Sequence, residues 1–282
     1  MSRGVKTMTE EVISRFQREG RGAGVAASYC PWIYITDYYS GGRTHEPWSH
    51  KFGREHQLLS DEEWRTFVML EWAQDVQDVR EQYPLDRDIT LGVAQELGIR
   101  HQCYPGTQVP LVMTVDFLVT RIRNGEQILQ AFNVKTEGDL QDPLTLSYLE
   151  ISRSTCEGLG IDHHLIVGGR IAKQKSKNLE WIRRALLDKD HIEPHEGFYG
   201  EHMSRMTRDI ETRHFDGSLV EYCLAYDARC SIEPGEGLRI ARMLLWQRTL
   251  QMDLNNVEPE HAHMDSFRLS AMPGRLRSVG SA

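Results

Sequence analysis

Val112-Met113-Thr114-Val115-Asp116-Phe117-Leu118-Val119, then Asn124-Gly125, then Ile128-Leu129-Gln130-Ala131-Phe132-Asn133-Val134-Lys135 is the stretch on which the fold of this chain turns. Both flanks are rich in strand-forming residues, and Asn-Gly between them is the strongest short-range signal for a β-hairpin. Counting back along both strands from a two-residue Asn-Gly loop sets Asp116 opposite Asn133. Directly paired residues project to the same face, and Lys135 joins them through the two-residue period of a strand. One face of one hairpin is therefore expected to carry Asp116, Asn133 and Lys135.

Those groups suit metal-assisted phosphodiester hydrolysis. A carboxylate such as Asp116 is a hard oxygen ligand for magnesium or manganese. The amide oxygen of Asn133, or the neighbouring Val134 carbonyl, adds a neutral ligand. An amine at Lys135 can orient or deprotonate a water, or steady charge developing on the phosphate. A plainer reading is a solvent-facing Asp–Lys ion pair worth under about 1 kcal/mol. Against it stands the apolar sequence around Asp116, because a buried carboxylate needs a partner or a metal.

Working outward, Thr9 caps a first helix with Glu10 and Glu11 in its first turn and Val12, Ile13 and Phe16 as its apolar stripe, ending at Gly20. An extended stretch begins at Cys30-Pro31-Trp32-Ile33, and residues 40–56 read as loop, rich in Gly, Arg and His. Ser60-Asp61-Glu62-Glu63 opens a strong helix with Trp64, Phe67, Val68 and Trp72 at helical spacing. Glu63 is a second candidate metal ligand, although Ser60-x-x-Glu63 by itself reads as a capping box. Glu71 reads as a helix-surface carboxylate. A strand over 76–83 closed by Pro84, a helix over 88–97 ended by Gly98, strands over 111–120 and 127–136, a helix over 142–159 and a strand over 164–168 complete the unit. Gly168-Gly169 marks a boundary. Beyond it helices are expected over 176–187, 219–227 and 237–248, a strand pair around Asn255-Asn256, and a disordered end over 275–282.

Bulk properties narrow the class. No apolar run approaches the roughly 20 residues that cross a bilayer, and the charged first residues lack the apolar core of a signal peptide, so the chain reads as cytoplasmic. The five cysteines form no CxxC, and the twelve histidines form no HExxH, so neither a disulfide framework nor a zinc centre is indicated. The net charge of −8 is unusual for a nucleic-acid enzyme and hints that a partner supplies DNA affinity.

Several segments together resemble the TnsA family, the strand-cleaving subunits of heteromeric transposases. They are Glu19-Gly20-Arg21-Gly22-x-Gly24, Tyr29-x-Pro31-Trp32, Gly42-Arg43-x-His45 and Ser49-His50-Lys51-x-Gly53-Arg54. Leu58-Leu59-Ser60-Asp61-x-Glu63, Leu70-Glu71-Trp72, Val79-Arg80-Glu81-Gln82-Tyr83-Pro84-Leu85 and Thr114-x-Asp116-Phe117-Leu118-Val119 follow. Val134-Lys135, Leu140-Gln141-Asp142 and Asn178-x-Glu180-Trp181 extend the match, which spans roughly residues 10–185.

The resemblance implies an α/β fold: a restriction-endonuclease-like mixed sheet flanked by helices over residues 1–169, and a smaller, mainly α, winged-helix-like domain over 170–282 that binds partners and DNA. It implies a nuclease site at Glu63, Asp116 and Lys135 holding two magnesium ions, with Asn133 standing where a well-known family member has Gln and most restriction-like nucleases have Asp or Glu. It implies cleavage of the 5′ strands at transposon ends, a TnsB-like transposase for the 3′ strands, and a TnsC-like ATPase meeting the C-terminal domain. Arg21, Arg43, His45, His50, Lys51 and Arg54 lie in Gly-containing loops suited to phosphate contacts, which position a duplex without reading its sequence. Lys173, Lys175, Lys177, Arg183 and Arg184 make a second basic stretch, for DNA or an acidic partner segment. Two rivals remain open: a stand-alone restriction- or resolvase-type nuclease, and a catalytically silent assembly module.

Overall fold

A computed structural model describes residues 8–37, 42–186 and 192–270, and the chain divides into two units at Ile171/Ala172. In the first, α1 (Glu10–Arg18) is capped by Thr9, whose hydroxyl accepts from the Val12 N–H at 3.3 Å. A short ladder, β1 (Trp48–Ser49) and β2 (Arg54–Glu55), precedes α2 (Asp61–Trp72), β3 (Val76–Pro84) and α3 (Arg87–Leu97). Then come β4 (Thr114–Arg123), β5 (Glu126–Lys135), α4 (Pro143–Gly158) and β6 (Asp162–Val167). The four-stranded sheet has the order β3-β4-β5-β6, antiparallel except for the parallel β5–β6 pair. It is the mixed sheet with flanking helices expected from the sequence.

The hairpin forms as Asn124-Gly125 dictates. Both residues take positive φ (51° and 84°), as a two-residue turn matched to the right-handed strand twist requires. Arg123 then pairs with Glu126 and, six steps down, Phe117 with Phe132, a register that sets Asp116 opposite Asn133. Phe67 and Leu70 of α2 pack with Val76, Val79, Phe117, Val119 and Val134 in one cluster. Ala94 of α3 and Ile151 and Cys156 of α4 pack with Met113, Val115, Leu118 and Ala131 in another. Each fully buried side chain of this size contributes about 1.5–3 kcal/mol, so the sheet is held from both faces.

Glu71 departs from expectation: it is buried, not on the helix surface. It lies one turn beyond Phe67, on the core-facing stripe that also carries Leu70. No strand begins at Cys30, where the chain runs in bends and turns. Where β6 ends, a Cβ on Gly168 would sit 2.4 Å from Cγ of Glu62, so only glycine lets the chain pass the first turn of α2.

The second unit is mainly helical: α5 (Lys173–Arg183), α6 (Phe198–Thr212), α7 (Leu219–Cys230) and α8 (Glu236–Trp246), with a ladder of β7 (Leu250–Gln251) and β8 (Arg268–Leu269). The helical character expected of this region is present, with helix, turn, helix and a following ladder in that order. Ser218 and Glu221 form a capping box at α7, and Asp227 ties the turn by accepting from the N–H groups of Gly235 (2.8 Å) and Gly237 (2.6 Å). Helix α8 exposes none of its residues fully and supplies Ile240, Ala241, Leu244 and Leu245 to the core.

The sequence reading passed over one helix and misplaced one strand pair. Helix α6 carries no sequence signal of the aliphatic kind, because its buried stripe is Phe198, Tyr199, His202, Met203 and Met206. The strand pair does not centre on Asn255-Asn256, whose amides bond to Asp253 in a side-chain-closed turn; the partner of β7 is β8. The expected helix over 176–187 ends at Arg183, and the tail over 275–282 lies outside the described residues.

Candidate active site

The hairpin and the first turn of α2 deliver the acidic groups. Asp116 is buried on β4, and its Oδ2 accepts from the Val134 N–H at 2.6 Å and from Nζ of Lys135 at 3.2 Å. Burial opposes the charge on Lys135, yet the fields of Asp116, Tyr148 and Glu63 outweigh it and hold its pKa above the usual value. Lys135 is thus a firm ammonium with about a quarter of its side chain open to solvent (23%).

Glu63 is 7% exposed. Half of the expected capping box is present: the Ser60 hydroxyl accepts from the Glu63 N–H at 3.1 Å. The carboxylate does not close the box in the ordinary way. Its Oε2 accepts from the Leu59 N–H at 2.9 Å and from Nε2 of Gln82 at 3.3 Å, while Oε1, among the described residues, meets only the Ser60 hydroxyl, at 3.4 Å. Burial, and then the charge of Asp116, push its pKa up to about 8. The two carboxylates are therefore close enough to repel, and the structure brings Glu63, Asp116 and Lys135 into one electrostatic cluster.

Asn133 is fully buried on β5 beside them. Its Oδ1 lies 2.9 Å from Nε2 of His163 on β6, and its Nδ2 is buried with no hydrogen-bond partner among the described residues. The backbone of Val134 is engaged through its N–H to Asp116. His163, Gln82 and Tyr148 (its phenol bonded to the backbone of Thr114) complete the surroundings and were missed by sequence reasoning. Only the parallel β5–β6 pairing, which sets His163 beside Ala131, could have pointed to His163.

The basic loop residues fare differently. Arg54 is buried, with both terminal nitrogens on Glu81 (2.7 and 2.5 Å) and one also on the Val79 carbonyl. Arg21 is paired with Asp37 and Glu19, donates to the Trp32 carbonyl and lies over the ring of Phe16. Both arginines spend their donors on these internal partners. Lys51 reaches the carbonyls of Glu71 and Ala73, where cations suit the end of α2. His45 stacks on Trp64 and meets Asp61 at 2.7 Å. Arg43 and His50 are exposed. On α5, Lys173, Lys177 and Arg184 are exposed and Lys175 and Arg183 half-buried, with Arg184 held by Glu180. Asn178 is structural, donating to the Leu254 and Val257 carbonyls.

A four-stranded mixed sheet in this order, flanked by helices, has the restriction-endonuclease-like α/β architecture. Comparison with known proteins narrows it. Residues 73–168 match the model of the TnsA-like endonuclease N-terminal domain, and residues 170–254 that of the TnsA endonuclease C-terminal domain. The chain is 32% identical over 244 residues to the Transposon Tn7 transposition protein TnsA of Escherichia coli, covering 86% of each. It belongs to the TnsA endonuclease family. Among the described residues no helix is long and apolar enough to cross a membrane.

Proposed function

We propose that this chain is a magnesium- or manganese-dependent DNA endonuclease that hydrolyses the 5′ strands at transposon ends. It works beside a TnsB-like transposase, which handles the 3′ strands, and a TnsC-like ATPase met by the second unit. The observation that carries the reading is the cluster itself: two buried carboxylates, Glu63 and Asp116, share a single lysine.

The donor set fits a divalent cation. A glutamate pushed up to about 8 marks a local shortage of positive charge, which a cation supplies. Glu63 and Asp116 would hold it, with a neutral oxygen from the Asn133 amide or the Val134 carbonyl, and two ions are expected by family resemblance. If His163 carries its proton on Nδ1, the Asn133 amide turns over, donates to His163, and presents its oxygen where the unpartnered Nδ2 now lies. A magnesium or manganese ion held there would supply positive charge to offset that of the phosphate and would lower the pKa of a water. Lys135, fixed by Asp116, donates to the attacking water or to a phosphate oxygen. The acidic net charge of −8 supports reliance on partners for DNA affinity, and exposed Lys173 and Lys177 suit a DNA or acidic-protein contact.

The test is titration of the full chain with manganese by calorimetry. Wild type is expected to bind, and Asp116→Ala to lose at least about tenfold in affinity. A second reading, a silent assembly module, draws on the buried Asn133 already bonded to His163; absence of manganese binding by wild type would favour it.

A further inference from the structure

One residue inside a strand has the backbone of a turn. Gln82 has φ +49° two residues before the end of β3, and it is 2% exposed. The other non-glycine residues with positive φ, Ala26, Asn124, Ser231 and Arg248, lie at turns or next to helix ends. The ladder with β4 does not slip around Gln82: Glu81 pairs with Phe117 and Tyr83 with Val115. Gln82 therefore sits in the sheet at the level of Asp116, and its carbonyl accepts from the Trp32 N–H. Left-handed backbone on a buried side-chain-bearing residue is held only where the surroundings over-determine it, and such positions gather at functional sites.

The strain accompanies a division of labour between two neighbours. Glu81 anchors Arg54 and His56, while Gln82 donates from Nε2 to Oε2 of Glu63. With the Leu59 N–H on the same oxygen, Oε2 is occupied and Oε1 is the less engaged atom. We infer that Gln82 is a positioning residue of the nuclease site: its amide fixes the rotation of the Glu63 carboxylate so that Oε1 faces the cation. This inference rests on the proposed metal site and adds a residue to it. Groups that orient a metal-ligating side chain commonly govern metal affinity and activity by 10- to 100-fold.

Two variants separate this role from packing. Gln82→Gly removes the amide and also the backbone strain, since glycine takes positive φ freely. Gln82→Met keeps the side chain's length and removes the donor. Each full-length variant is titrated with manganese, assayed for DNA nicking with magnesium and the cognate transposase subunit, and melted without metal, beside wild type and Asp116→Ala. The expected result is about tenfold or greater loss of manganese affinity and of nicking in both variants. Gln82→Gly should melt no lower than wild type. Wild-type manganese affinity in either folded variant, whatever its melting temperature, overturns the inference. In that outcome, loss of binding in Asp116→Ala shows that the metal site itself stands. If wild type binds no manganese, the site and the positioning role fall together.

Discussion

Arg54→Ala is expected to lower the stability of the chain by about 3–5 kcal/mol, because it strands a buried carboxylate. Glu81 is completely buried and receives both terminal nitrogens of Arg54, Nδ1 of His56 at 2.8 Å and the Gln57 N–H at 3.0 Å. Burial alone would raise its pKa, but His56 and Arg54 override it and hold Glu81 down to about 2. Its folded pKa lies below the ordinary 4.5, so the stability it contributes is present above about pH 4.5 and is lost as pH falls toward 2. Wild type should therefore weaken steadily in that acid window. The double variant Arg54→Met/Glu81→Leu should recover part of the loss, since an apolar pair leaves no orphaned charge. Chemical denaturation at pH 7 checks the numbers. A near-wild-type Arg54→Ala would return this arginine to the surface role first expected of it.

Lys135→Met is expected to reduce strand cleavage by about a hundredfold or more, the usual scale for removing one preorganised charged donor from a developing negative charge. Its effect on metal binding should run the other way. The ammonium contacts Asp116 and its field reaches Glu63, so it competes with a cation for the same carboxylates. Manganese affinity should be unchanged or tighter in Lys135→Met, whereas Asp116→Ala should lose both binding and cleavage. Weaker manganese binding in Lys135→Met would show that the lysine assembles the site instead of acting on the phosphate.

What the sequence disclosed was local. Asn124-Gly125 determines a turn, the turn determines a register, and the register puts Asp116, Asn133 and Lys135 on one face; each step spans neighbouring residues or one hairpin. Glu63 was ambiguous because a capping glutamate and a site glutamate occupy the same helical position, and here the same residue does part of one job while joining the other. Arg54 looked like a surface cation because its partner, Glu81, is 27 residues away on another strand. Gln82 gave no signal, since a positive φ inside a strand is imposed by tertiary packing, not by the residue. The stripe of α6 was missed because aromatic, His and Met side chains do the burying there.

The most direct test of the central claim is strand-specific cleavage of a duplex bearing the element's end. The reaction contains magnesium and the cognate transposase subunit, and compares wild type with Asp116→Ala. The account predicts that Asp116→Ala abolishes nicking of the 5′ strand while cutting of the 3′ strand continues. If every cut survives the substitution, Asp116 is not part of a nuclease site and the assignment of catalysis to this cluster is wrong.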